Sequence, residues 1–265
     1  MSQAGPIAFL PGAGGGVPDL DVFRDGSSDR HQVEVIAYPG WRRYVVEGYS
    51  ANDLIDDLAA EIARRVPQGP IRIVGVSIGG HFGYAVGLRL QNRGRQIAGL
   101  CAIDSMMIQS SGPSKGWKKR ALQQALELLR SRSLSGLIHF VRSKFWRALM
   151  RALGDRLTAV ARRHSTRLPR VFALDPLLEE ELNMRLLIRT SASWFGSLDC
   201  NPIPLNAPTV LLRTKLVAGD EESWRRRCPN IGIFEISGKH HNLFDAENVA
   251  ELHEAFVGAT RDWRR

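Results

Sequence analysis

Cysteine is scarce in this chain and follows no pattern. Its three thiols, Cys101, Cys200 and Cys228, are too few and too scattered for a disulfide framework, and none has metal-ligand spacing. Long apolar runs are also missing: no segment approaches the roughly 20 residues needed to cross a bilayer. The opening residues, MSQAGPIAFLPGAGGG, have no basic start, and the apolar stretch at 7–10 is too short for a signal peptide. These absences lead to the expectation of a reducing, cytoplasmic setting with no membrane association. No internal repeat or low-complexity tract appears, and 265 residues can bury a good-sized core. One α/β domain with an insertion suits that length.

Acidic residues are nearly absent from one stretch. Residues 115–170 hold 15 Lys and Arg against two acids, Glu127 and Asp155, a local charge of +13 in a chain of net +9, so everything else carries −4. A basic face of this kind could meet nucleic acid, anionic lipid or an acidic protein, or simply be a solvated helix surface.

Short β-branched or apolar runs bounded by turn residues predict buried strands at 7–10, 33–38, 71–76, 97–103, 209–213 and 232–236. Helical patterns lie between them. Leu54, Ile55, Leu58, Ile62 and Val66 share one face, with Ser50 as N-cap, and further helices are predicted at 78–90 and 246–257. Strands alternating with helices imply a mostly parallel sheet covered on both faces. The alternation stops after Ile103 and resumes near Thr209. Between them Leu134, Leu137, Ile138, Val141, Phe145 and Leu149 keep a helical period among basic residues, and "DPLLEEELNMRLLIRTSASWF" starts another helix with Asp175 as N-cap and Pro176 first. An inserted helical lid over one end of the sheet, 105–206, is the expectation, within a single domain of 5–260.

Chemistry concentrates where the third strand ends. Gly75-Val76-Ser77-Ile78-Gly79 fits G-x-S-x-G between a strand and a helix, the context of a nucleophile elbow. Such a turn exposes the Ser77 oxygen at the start of a helix whose backbone N–H groups favour negative charge. A serine at its free pKa is a poor nucleophile and needs a base and an orienting acid. Among seven histidines, the adjacent His240 and His241 follow the last strand, where the order Ser…Asp…His of an α/β-hydrolase would put the base. For the acid, Asp104 ends the strand after the elbow and Asp220 follows the next strand; both would lie on the same sheet edge as Ser77, and sequence order permits either. The loop "AFLPGAGGGV" after the first strand lacks dinucleotide-binding spacing, but it could turn a backbone N–H inward beside that of Ile78 as a second oxyanion donor.

Taken in order, "LPGAGGG", "YPGW", "GVSIGG" and "GKHHNLF" resemble the thioesterase domains of non-ribosomal peptide and polyketide synthases and their free-standing relatives, with coverage from about Pro6 to Val257. The insert is long and unusually basic beside that family's lid. The resemblance implies an α/β-hydrolase fold and selects His240 over His241, Asp104 over Asp220, and Ala13 with Ile78 as oxyanion-hole amides. It further implies release of an acyl, polyketide or peptidyl chain, by hydrolysis or cyclisation, from a phosphopantetheine thioester on an acyl or peptidyl carrier protein, with no metal or organic cofactor and no nucleic-acid partner. Two other readings of the same residues are a serine esterase, lipase or amidase acting on small free substrates, and a non-catalytic hydrolase-like scaffold using its basic lid for binding.

Overall fold

In a computed structural model of the chain, the residues described are 6–23, 33–105, 134–198, 200, 202–214 and 221–264. Six strands, β1 (Ile7–Leu10), β2 (Val33–Val35), β3 (Ile71–Val76), β4 (Ile97–Ile103), β5 (Thr209–Thr214) and β6 (Ile231–Ile236), form one sheet in the order β2-β1-β3-β4-β5-β6, every neighbouring pair parallel. Parallel pairing demands crossovers, and it puts all the carboxyl ends of the strands on one edge. The central strands are apolar along their length because both faces are covered: Phe9, Val74, Cys101, Ile103 and Leu212 belong to a core that also takes in Phe23, Leu252, Phe256 and Trp263.

The helix α2 (Ala51–Arg65) starts where the sequence says it should. The Ser50 hydroxyl accepts from the Asp53 amide at 3.2 Å while the Asp53 carboxylate accepts from the Ser50 amide at 2.9 Å, a reciprocal cap worth about 1 kcal/mol. Leu54, Ile55, Leu58 and Ile62 form its buried face. It packs on α3 (Ile78–Asn92), which also rests on β3 and β4 and is buried on nearly every side over its first three turns.

Two predicted boundaries shift. The second strand stops at Val35 instead of reaching 38. Ile36 makes one more bond, its amide to the Phe9 carbonyl at 2.8 Å, and then the chain leaves the sheet ahead of Pro39, which has no N–H to extend a ladder. The last α-helix (Val249–Ala259) begins three residues later than expected, because Asn242 and Asp245 bind the intervening backbone into turns.

Contacts divide the chain into two compact units, one containing the sheet with α2 and α3, the other drawn, among the described residues, from 39–49 and 134–190. In the second unit, α1 (Trp41–Val45) packs on α5 (Leu157–Arg163), and Arg162 donates to the Val45 carbonyl at 2.7 Å. Trp41 meets Phe172 of α6 (Leu168–Leu174) edge-on at 5.6 Å. The long helix α7 (Pro176–Ser197) follows Asp175, as the Asp-Pro pair predicts. In α4 (Leu134–Leu153) the period holds, but the apolar stripe is open: Ile138, Val141 and Phe145 are each more than half exposed. Helical period alone does not say which face a bundle covers. No helix among the described residues is long and apolar enough to cross a membrane.

Candidate active site

Ser77 stands between β3 and α3 with φ 55° and ψ −121°, a backbone conformation that costs a non-glycine residue on the order of 1–3 kcal/mol. Asp104, at the end of the neighbouring β4, is the only other non-glycine residue with positive φ among those described, at 46°. Both are pinned by continuation of the sheet ladder: the Ser77 amide donates to the Ile103 carbonyl at 2.8 Å and the Asp104 amide to the Leu212 carbonyl at 2.7 Å. These bonds over-determine the backbone and hold the strain in place. The glycines of the elbow are explained by close approach. A β-carbon at Gly75 would collide with the carbonyl of Gly79, and one at Gly79 would collide with that of Leu10.

That second contact brings the first loop onto the elbow. A β-carbon built on Gly12 would lie 3.8 Å from the Ser77 β-carbon, so Ala13 follows directly on a residue close to the serine. Tyr38 braces the same loop through a hydroxyl bond to the Pro11 carbonyl at 2.7 Å, and its ring packs on Phe82 of α3. The Ile78 amide sits at the first turn of α3. The Ser77 side chain makes no capping bond there and is only partly buried, unlike a serine placed to start a helix.

The Asp104 carboxylate is wholly buried, and it is the acid that meets the histidine. His240 Nδ1 lies 2.5 Å from Asp104 Oδ2. Asp104 Oδ1 accepts from the Thr214 amide at 3.1 Å and from the Thr214 hydroxyl at 3.2 Å. Burial works to raise the pKa of this carboxyl, but the bonds from His240 and Thr214 outweigh it and hold the group below the usual carboxylate range. His240 projects from a turn just after β6, with about half of its side chain exposed. That turn is fixed by Asn242, whose side-chain oxygen accepts from the Lys239 amide at 2.7 Å while its own amide donates to the Lys239 carbonyl at 3.0 Å. Ser77 and His240 are not hydrogen-bonded to each other, and among the described residues nothing else occupies the Ser77 hydroxyl or His240 Nε2. His241 is exposed and does not reach Asp104. Asp220 lies outside the described residues.

Asp104 and His240 are therefore in contact, and Ser77 with Ile78 stands at the end of β3, with Gly12, the residue before Ala13, close to the serine. Thr214 and Asn242 were not picked out from sequence. Asn242 is a turn former close after the histidine, a local signal that could have been read. Thr214 had none, since its role comes from strand register across β4 and β5. His81, on the helix behind the elbow, is fully buried, 3.2 Å from an equally buried Arg227 guanidinium and stacked on Trp224. No cluster of His, Cys, Asp and Glu among the described residues could hold a metal ion.

A parallel sheet flanked by helices, with a strained serine after β3 and a carboxylate and imidazole on the same edge, defines an α/β-hydrolase architecture. Residues 5–256 match the thioesterase domain family, and the chain belongs to it. Its fold is similar to that of the Vlm2 thioesterase domain in its wild-type form (21% identity, 96% of this chain and 93% of that one, TM-score 0.58). It is equally close to the NocB thioesterase domain in covalent complex with a fluorophosphonate nocardicin G analogue (16% identity, 96% and 94%, TM-score 0.58). The four-domain nonribosomal peptide synthetase AB3403 shares the fold over 96% of this chain but only 19% of its own (18% identity, TM-score 0.54). No curated protein matches the chain.

Proposed function

We propose that this chain is a serine thioesterase that releases an acyl, polyketide or peptidyl chain from the phosphopantetheine arm of a carrier protein through an acyl-Ser77 intermediate. The observation that carries the reading is the 2.5 Å contact of His240 Nδ1 with a buried Asp104, on the sheet edge where a strained Ser77 leaves its hydroxyl unengaged. Asp104 holds His240 with a proton on Nδ1, leaving Nε2 as the basic nitrogen. As Ser77 Oγ attacks the thioester carbonyl, Nε2 takes the hydroxyl proton and the carbonyl π pair moves onto oxygen. The Ile78 and Ala13 amides stabilise that oxyanion, each donor contributing about 2.7–4 kcal/mol. When the intermediate collapses, the C–S bond breaks and Nε2 returns its proton to the departing sulfur. A thiol of pKa about 8.5 leaves readily. Water, or a nucleophile within the acyl chain, then resolves the acyl-enzyme by the same steps in reverse roles. No step calls on a metal or an organic cofactor.

Membership of the thioesterase family and the covalent fluorophosphonate complex of the similar NocB domain both support this chemistry. The expected partner is an acidic carrier protein, attracted by the +13 carried by residues 115–170. The test compares three substrates: an acyl chain on carrier protein, the same acyl chain on N-acetylcysteamine, and its p-nitrophenyl ester. The proposal expects the highest kcat/KM on the carrier-bound thioester and none on any substrate with Ser77→Ala. A preference for the free p-nitrophenyl ester would instead mark an esterase of small substrates.

A further inference from the structure

Side chains of α4 reach α7 and the Asp175 that precedes it, all in the second unit, and these polar contacts advance together along both helices. Arg142 and Trp146 both reach Asp175, at 2.7 Å each. One turn on, Arg147 pairs with Glu181. Beyond the end of α4, Arg189 pairs with Asp155 at 2.8 Å. Each of these rungs sets a cation against an acid or shares one. The rung between the second and third breaks the rule: continuing by four residues from Arg147 and Glu181 gives Arg151 and Arg185, two cations.

Lys144 joins them from the same face of α4, three residues before Arg147 and seven before Arg151. Arg147 holds the carboxylate of Glu181, which is about 95% buried, and that same negative charge acts on Lys144 and Arg185. The crowding registers on the groups themselves. Burial, then the positive charges of Arg147 and Arg151, lower the pKa of Lys144, and burial followed by Arg151 lowers that of Arg185. The Nε of Arg185 is buried without a hydrogen-bond partner. Among the described residues no acid pairs with Arg151 or Arg185.

We infer that Lys144, Arg147, Arg151 and Arg185 form a binding site for a phosphate ester, with Glu181 as the fixed counter-charge that sets the guanidiniums around it. The excess of +3 over Glu181 is more than one further carboxylate would neutralise, whereas a phosphomonoester brings about −1.5 to −2 and three strong acceptor oxygens. Guanidiniums present planar pairs of donors that match phosphate oxygens. Arg151 is exposed and Arg147 is half-exposed, so the cations can be reached from solvent.

Calorimetric titration at fixed ionic strength tests the inference, with inorganic phosphate and coenzyme A as probes, pantetheine as the phosphate-free analogue, and chloride as the background anion. Saturable binding of phosphate and of coenzyme A is expected, weakened at least tenfold by Arg151→Gln and by Arg185→Gln, with no binding of pantetheine. Arg163→Gln, an exposed cation on α5, should leave the titrations unchanged. Circular dichroism and melting of each variant separate loss of the site from loss of the fold. Phosphate binding no stronger than that of chloride, pantetheine binding as tightly as coenzyme A, or an equal loss in Arg163→Gln would overturn the inference. None of these outcomes depends on Ser77 chemistry, so failure here and failure of the thioesterase reading can be told apart.

Discussion

Replacing Asp104 by asparagine changes one atom and, on this geometry, silences the base. Oδ1 receives two bonds from Thr214, and one comes from a backbone N–H that can only donate. The amide oxygen must therefore face Thr214, which turns the NH2 group toward His240 Nδ1. That nitrogen must then accept, so the imidazole proton moves to Nε2, the atom needed to take the Ser77 proton. A wrong-tautomer histidine of this kind costs about 10⁴ in kcat in the serine-protease template, or about 5.4 kcal/mol at 1.36 kcal/mol per decade. Steady-state hydrolysis of an acyl-N-acetylcysteamine thioester by Asp104→Asn should show that loss in kcat with little change in KM. Asp220→Asn, run beside it, should stay within twofold of the parent. A loss below tenfold in Asp104→Asn would refute the tautomer argument, and a large loss in Asp220→Asn would move the acid.

Four further outcomes can be measured, two of them from the same contacts. Thr214→Val removes the hydroxyl bond to Asp104 and keeps the amide bond; at 3.2 Å that bond belongs at the low end for charged acceptors, so denaturant unfolding at pH 7 should show a loss of about 1.5 kcal/mol. Because the folded-state pKa of Asp104 is depressed, its stabilisation is full above the unfolded value near 3.9 and disappears as pH falls through the folded value, so the wild-type and Asp104→Asn melting curves should converge below pH 4. Of the three thiols only Cys200 is exposed, while burial pushes Cys228 up to about 11 and Cys101 higher still; a native Ellman titration should count one reactive thiol, lost in Cys200→Ser. Raising salt from about 0.05 to 0.5 M should slow turnover of a carrier-bound thioester but not of the N-acetylcysteamine thioester, and equal rates would remove the steering role of the basic stretch.

Much of this site could be read before any coordinates. The elbow was legible because its constraint is local: a serine projecting from a strand-to-helix turn needs glycines where backbones touch, and Gly75 and Gly79 do touch. The positions of the six strands along the chain followed from local patterns, but their order in the sheet did not. Residues that act across strands were not legible. Thr214 lies 110 positions from the carboxylate it serves, and only the register of β4 on β5 reveals the pairing. Tyr38 was noted as part of "YPGW", but its bond to Pro11 depends on how the chain leaves β2. The apolar stripe of α4 shows the opposite failure, where a clear period gave the helix but not the side it presents.

The account rests on Ser77 being the atom that carries the acyl group. Intact-protein mass spectrometry, followed by peptide mapping, after brief incubation with an acyl-N-acetylcysteamine thioester or an alkyl fluorophosphonate tests this directly. One adduct per chain is expected, on the peptide containing Ser77, and none in Ser77→Ala. An adduct that persists in Ser77→Ala, or that maps to any other residue, would contradict it.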